Sequence, residues 1–380
     1  MAKGRRGNGE GNIKKRSNGT YEVRITLEDN SRKSIYGKTR KEVQEKLKVA
    51  LREQQQGTLV TAPQQKLEDF LKQWLEDTQR DSIKPRSYER YEEIVRLHIV
   101  PSLGRIQLQK LTPQQVQSFY AKKIKEGYKA VTVASFHKVL HKALDTAVRW
   151  NLVSKNVCDV VSVPRVEEFE IHPLTLEQIR KLLKASKGHS SEALIKLAIA
   201  TGLRRGELMA LKWDDIDLNA GVLQVQRNLV RIPSKLPGKG YVESETKTKK
   251  SRRSVVIASF ALEALREHRS RQLHALAAAG PLWQYNNYVF CTSVGTHIHP
   301  TRDMSDVLDE LLEKAGVPHI RFHDLRHSAA TLLMSQGVHP KVVQEFLGHS
   351  TITMTMDTYS HVLPSMQQDA ISKLDDALNE

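Results

Sequence analysis

The segment RFHDLRHSAAT, residues 321–331, sets two arginines and two histidines at the mouth of an apolar stretch. On a helix, His323 and Arg326 are i,i+3 neighbours and His327 is i,i+4 from His323, so all three face one spot. Two histidines at that spacing suit zinc, and HDLRH has the outline of a zinc-protease box with Asp324 where Glu is usual. Arg326 brings a guanidinium to the same place, however, and no third ligand follows at the spacing such enzymes use. An anionic phosphate suits this group better than a dication; a plain basic surface is the simplest alternative.

Three other segments carry chemistry-bearing residues. In ATGLRRGELMALKWDDID (200–217), Gly202 is predicted to end one helix and Arg204 to open the next, with Glu207 one turn on. An arginine at a helix N-terminus grips anions, while a surface pair with Glu207 is the bland reading. Asp214, Asp215 and Asp217 suggest a metal-dependent nuclease less well than a polar turn leading into a strand. In ETKTKKSRRSVVI (245–257), five cations crowd into seven residues before a predicted strand. A lysine at a hairpin tip can reach a scissile phosphate and protonate a leaving oxygen, although solvated loops carry charge too. In FLGHSTITMTMDTYSHV (346–362), Gly348 and His349 end a short helix and Tyr359 follows ten residues later. A phenol, with a pKa of about 10, attacks phosphorus only where a dense positive field stabilises the phenolate.

The elements that position these residues belong to a chain of 380 residues, too long for one ordinary core and enough for two or three domains. The formal net charge of +16 points to a polyanionic partner. No apolar run approaches 18 residues, so no membrane span is expected. The basic N-terminus MAKGRRGNGEGNIKKR lacks the apolar core of a secretory signal. Cys158 and Cys291 cannot build a disulfide framework or a four-cysteine zinc site, and a reducing cytosol fits.

The predicted architecture is multidomain and mainly α with small β-sheets. Residues 1–20 read as flexible; alternation around DNSR then predicts a small antiparallel sheet, and Val43, Leu47 and Leu51 a helix behind it. This gives a first domain at 1–60. Residues 65–165 read as a bundle of four or five helices, with Leu67, Phe70, Leu71 and Trp74 at helical spacing and Thr112 with Pro113 as a helix start. Residues 172–380 alternate helix and strand, with AGVLQVQRNLVRIP as one strand and a basic loop over 234–253. Met366, Ala370, Ile371, Leu374 and Leu378 predict an amphipathic C-terminal helix.

Taken in order, TGLRRGEL, KTKKSRR, HDLRH, LGHS and DTYSHV resemble the motifs of the tyrosine recombinase family, the phage-type integrases. The resemblance implies a three-stranded N-terminal sheet plus helix as arm-type DNA-binding domain, a helical SAM-like core-binding domain, and a mixed α+β catalytic domain. It implies a site-specific DNA recombinase that works through a 3′-phosphotyrosine, with catalytic residues Arg204, Lys247, His323, Arg326, His349 and the nucleophile Tyr359. Glu207 would support the site, Lys249 competes with Lys247 as general acid, and His327 stays off the catalytic list. No cofactor or metal is implied, and LPGKGY is too short for a nucleotide phosphate loop. The implied partners are double-stranded DNA attachment sites, a homotetramer on DNA, a directionality factor (excisionase) and a DNA-bending protein. The alternatives are a chromosome-dimer resolvase, which usually lacks an arm-binding domain, a type IB topoisomerase-like enzyme, and a DNA-binding regulator that keeps only the fold.

Overall fold

The computed structural model of the protein describes residues 13–26, 32–55, 63–167, 172–232, 240–245, 252–298 and 302–359, with 371, 375 and 378 near the C-terminus. The chain divides into two units, Met1–Glu168 and Phe169–Glu380. Among the described residues no helix is long and apolar enough to cross a membrane.

The first unit opens with an antiparallel sheet of β1 (Lys14–Lys15), β2 (Tyr21–Thr26) and β3 (Arg32–Gly37), followed by α1 (Arg40–Gln55). Alternation along β2 turns Val23 and Ile25 inward, where they meet Val43, Leu47 and Ala50 of α1. Lys14 and Lys15 add a strand inside the stretch expected to be flexible, because β2 offers them a paired edge.

The helical part of this unit comprises α2 (Leu67–Trp74), α3 (Pro85–Ile94), α4 (Val100–Leu103), α5 (Pro113–Lys125) and α6 (Ala130–Arg149). Leu67, Phe70, Leu71 and Trp74 are fully buried in its core, and Trp74 Nε1 donates to Thr146 Oγ1 at 3.2 Å. Thr112 and Gln115 form a reciprocal capping box with Pro113 in the first turn. Wider π turns occupy Leu75–Gln79 and Val95–Ile99. The second precedes Pro101, which has no N–H and whose ring crowds the carbonyl four residues back; the extra residue in the turn relieves that crowding.

The second unit runs α7 (Leu176–Ser186), α8 (Glu192–Thr201), α9 (Arg205–Met209), β4 (Ile216–Asp217), β5 (Val222–Val225), β6 (Arg227–Arg231), β7 (Tyr241–Glu245), β8 (Arg253–Val256), α10 (Ser259–Ala279), α11 (Arg302–Ala315), α12 (Phe322–Ser335), α13 (Pro340–Leu347) and α14 (Ile352–Tyr359). The apolar α8 lies at the centre. Its Leu194, Leu197 and Ala198 share one core with Leu265 of α10, Leu311 of α11, Leu325 of α12, and Leu223 and Val255 of the sheet. Strands β4, β5 and β8 form an antiparallel sheet, and β6 pairs with β7 separately.

Several expectations change here. The single strand expected over 220–233 is two strands in different sheets, parted at Gln226. The basic loop expected over 234–253 contains β7, whose Glu243 takes Lys212 Nζ at 2.8 Å and the Tyr288 hydroxyl at 2.6 Å. Helix α9 is short, Arg205–Met209, and Arg204 is its N-cap. Helix α12 starts at Phe322, which puts His323 in its first turn. Of the C-terminal apolar stripe, Ile371 and Leu378 are described; both have helical backbone and are exposed.

Candidate active site

The site is built around the C-terminal end of α13. Gly348, at φ +67°, takes the left-handed conformation that stops the helix. The last carbonyls of a helix lack partners within it. Here three arginines from three elements take one each. Arg253 Nε donates to the Phe346 carbonyl at 3.1 Å, Arg326 Nη2 to that of Leu347 at 2.7 Å, and Arg204 Nη2 to that of Gly348 at 3.1 Å. Cations are favoured at this negative end of the helix dipole. Arg326 Nη1 also donates to the carbonyl of Gly202 at 2.6 Å. Gly202 is the left-handed cap of α8, φ +56°, so one guanidinium ties two helix ends together. A Cβ on Gly202 would stand 2.9 Å from Leu347 Cδ2, so the two caps are in close contact.

Glu207 lies between two of these arginines. Its carboxylate accepts from the Arg204 backbone N–H at 3.0 Å, Arg204 Nη1 at 2.9 Å and Arg253 Nη2 at 3.1 Å. Burial pushes this carboxyl up, but Arg253 first and Arg204 second outweigh it and hold its pKa below the ordinary glutamate value. Two of the three guanidinium groups thus share the Glu207 carboxylate, while Arg326 is held by main-chain carbonyls. The Arg326 and Arg253 side chains are buried, whereas that of Arg204 is 37% exposed and able to meet an incoming anion.

The histidines stand in this field. Asp324 closes a capping box on Arg321, accepting from its backbone N–H at 2.9 Å and from Nη2 at 2.8 Å, and so fixes the start of α12. His323 is exposed in that first turn and meets His327 edge to face, ring centroids 5.0 Å apart. Desolvation by its surroundings and then Arg326 lower the His323 pKa. His327 is buried, and burial followed by His323 brings it down to about 4. His349 follows the cap of α13; burial, then Arg326 and Arg204, bring it down to about 3. All three imidazoles are therefore neutral at pH 7. The His349 ring is held through Nδ1, 2.8 Å from Thr355 Oγ1 of α14.

The structure thus brings together Arg204, Glu207, Arg326, His323 and His349. Lys247 and its competitor Lys249 lie outside the described residues, between β7 and β8. Tyr359 is the last residue of α14, and its side chain lies outside the described residues. The acidic run is a polar turn, as expected. Asp215 is buried against Arg227 at 2.7 Å, and Asp217 accepts the backbone N–H groups of Asn219 and Ala220. Among the described residues, the group of three side chains close enough to share a metal ion is His141, Asp145 and Asp159 in the first unit.

Sequence reasoning missed two residues of this centre. Arg253 was read only as part of a basic tract. Its signal is register: period-2 alternation puts it on the inward face with Val255 and Ile257, both buried, while Val256 is 73% exposed. Thr355 was not singled out, because a lone threonine carries no pattern.

A positively charged centre with neutral imidazoles at its edge suits a phosphoryl-transfer enzyme. The chain belongs to the phage integrase family of tyrosine recombinases, the enzymes of site-specific DNA recombination. The model of the phage integrase family matches residues 172–366, and that of the phage integrase N-terminal SAM-like domain matches residues 66–124. The chain is 35% identical to a "Tyrosine recombinase XerC-like" protein of Caldanaerobacter subterraneus subsp. tengcongensis, over 94% of this chain and 96% of that one. It is 27% identical to the ICEBs1 integrase of Bacillus subtilis, over 96% of this chain and 100% of that one. Its fold is that of the Tn1549 transposon integrase, solved in complex with transposon right end DNA, at TM-score 0.70 and 21% identity over 82% of this chain and 100% of that one.

Proposed function

We propose that this integrase cleaves and rejoins double-stranded DNA at attachment sites through a 3′-phosphotyrosine on Tyr359, and so integrates and excises a phage or other mobile element. The observation that carries the reading is the convergence of Arg204, Arg253 and Arg326 on one helix end, with Glu207 paired to Arg204 and Arg253. A pocket of that charge stabilises a pentacovalent phosphorane.

Arg204 and Arg326 clamp the non-bridging oxygens of the scissile phosphate, Arg204 from the accessible side and Arg326 from beneath. Glu207 and Arg253 hold Arg204 and the end of α13 in place. The Tyr359 oxygen attacks phosphorus, and its proton passes to His323, whose lowered pKa keeps the imidazole ready to accept it. The bond from phosphorus to the 5′ oxygen breaks, and that oxygen takes a proton from Lys247, or from Lys249. His349 donates a hydrogen bond to the phosphate as charge builds. Rejoining runs the same steps in reverse, with a 5′-hydroxyl attacking the phosphotyrosine.

Exchange between two duplexes breaks four strands, and one nucleophile per chain then requires a homotetramer on the DNA. The exposed Ile371 and Leu378 suit a C-terminal segment that docks on a neighbouring subunit. The sheet module at 1–60 binds arm-type sites and the helices at 65–165 bind the core site. A directionality factor and a DNA-bending protein set the outcome in the bacterial cytoplasm. The sheet module ahead of the helical domain favours an integrase over a chromosome-dimer resolvase or a type IB topoisomerase.

A nicked suicide duplex tests the reading. The wild-type protein should become covalently attached to it, and Tyr359→Phe should bind the duplex without attachment. Attachment by Tyr359→Phe would remove the proposed nucleophile.

A further inference from the structure

We propose that Thr355 is a positioning residue for His349: its hydroxyl donates to Nδ1 and so holds the single imidazole proton on Nε2, where it can be donated to a phosphate oxygen. The inference rests on the reading that His349 faces the scissile phosphate.

The bond is short, 2.8 Å between Nδ1 and Oγ1, and Thr355 is fully buried. A buried hydroxyl must place its proton on an acceptor. Among the described residues, the hydrogen-bond partner of Thr355 Oγ1 is His349 Nδ1. If Nδ1 carried the proton and donated, the hydroxyl proton would be left without an acceptor in a dry site, which costs about 1–3 kcal/mol. The hydroxyl is therefore the donor and Nδ1 the acceptor. The surroundings then decide what Nε2 does. Burial first, then Arg326 and Arg204, opposes an imidazolium here, so the ring is neutral and has one N–H to give. With Nδ1 accepting, that N–H is on Nε2.

The backbone at this point is equally constrained. The His349 N–H donates to the Gln344 carbonyl at 3.0 Å, and Gln344 Nε2 returns a bond to the His349 carbonyl at 3.1 Å. The main chain and Nδ1 of His349 are both anchored, which leaves Nε2 as the atom free to serve a ligand. Thr355 also lies four residues before Tyr359 on the same helix. The bond that sets the tautomer thus fastens the tyrosine's helix to the histidine.

Long-range ¹H–¹⁵N correlation spectra of the DNA-free, histidine-labelled full chain read the tautomer directly, with His349→Gln identifying the resonance. Wild type and Thr355→Ser should show the proton on Nε2, and Thr355→Val should show a mixture or the Nδ1–H form. Covalent attachment to the nicked duplex should fall by roughly 10-fold or more in Thr355→Val and return to within about 3-fold of wild type in Thr355→Ser. A wild-type proton on Nδ1, or an unchanged tautomer in Thr355→Val, overturns the proposal, as does equal loss of activity in both variants. The spectra need no catalysis. A wild-type protein that fails to attach to DNA would therefore count against the recombinase mechanism, not against the role of Thr355.

Discussion

Replacing Glu207 with glutamine keeps the shape of the centre and removes the carboxylate that Arg204 and Arg253 share. In the folded chain that carboxylate accepts from Arg204 at 2.9 Å and Arg253 at 3.1 Å. Glutamine would turn an NH₂ group toward one guanidinium and leave the buried Arg253 without an anion. Removing one partner of a buried ion pair costs about 3–5 kcal/mol. Arg253 keeps the Phe346 carbonyl and Arg204 is partly solvated, so the lower end, about 3 kcal/mol, is expected. For a unit of this size that is a fall in melting temperature of about 6–12 °C, read by calorimetry on the full chain. The pH dependence has a defined sign. The folded-state pKa of Glu207 is depressed, so its contribution is present above its unfolded value of about 4.3 and is lost as pH falls through the folded value. The gap between wild type and Glu207→Gln should be full at pH 7 and shrink progressively as pH falls below about 4. A gap under about 1 kcal/mol at pH 7, or one that stays constant down to pH 3, would refute the assignment of Glu207 as the anion holding these arginines.

Three further outcomes follow from the same geometry. Arg326→Lys cannot span the Gly202 and Leu347 carbonyls together; it should lose about 2 kcal/mol in urea unfolding and at least ~100-fold in DNA cleavage. Gly202→Ala forces a Cβ into a left-handed residue 2.9 Å from Leu347 Cδ2 and should destabilise by about 1–3 kcal/mol, read as a lower urea midpoint. Because the His323 pKa is lowered and its neutral form accepts the tyrosine proton, the acid limb of the cleavage profile should have its midpoint below the ordinary histidine value of about 6.5; a midpoint above it would contradict the base role.

What the sequence disclosed follows the physics of each element. Local signals were readable: the helix start at Thr112 and Pro113, the stripe from Leu67 to Trp74, and Gly202 and Gly348 as helix stops. The centre's Arg204, Glu207, His323, Arg326 and His349 were readable because their motifs occur in a fixed order. Strand β7 was not, since its YVESE sequence is held by ion pairs and strand pairing and not by apolar alternation. The break at Gln226 was hidden because both flanking segments have the same β-branched character. The carbonyl cradle was invisible for a deeper reason. Arg253, Arg326 and Arg204 meet main-chain oxygens of α13, and backbone acceptors leave no mark on residue identity.

The central claim is that this positive centre serves a phosphotyrosine on Tyr359. It is tested most directly by trapping the protein on a nicked duplex, digesting both components and locating the residual nucleotide by mass spectrometry. The account predicts a single modified peptide with the phosphate on Tyr359. A phosphate on any other tyrosine or on a serine, or efficient cleavage with no covalent adduct, would contradict it.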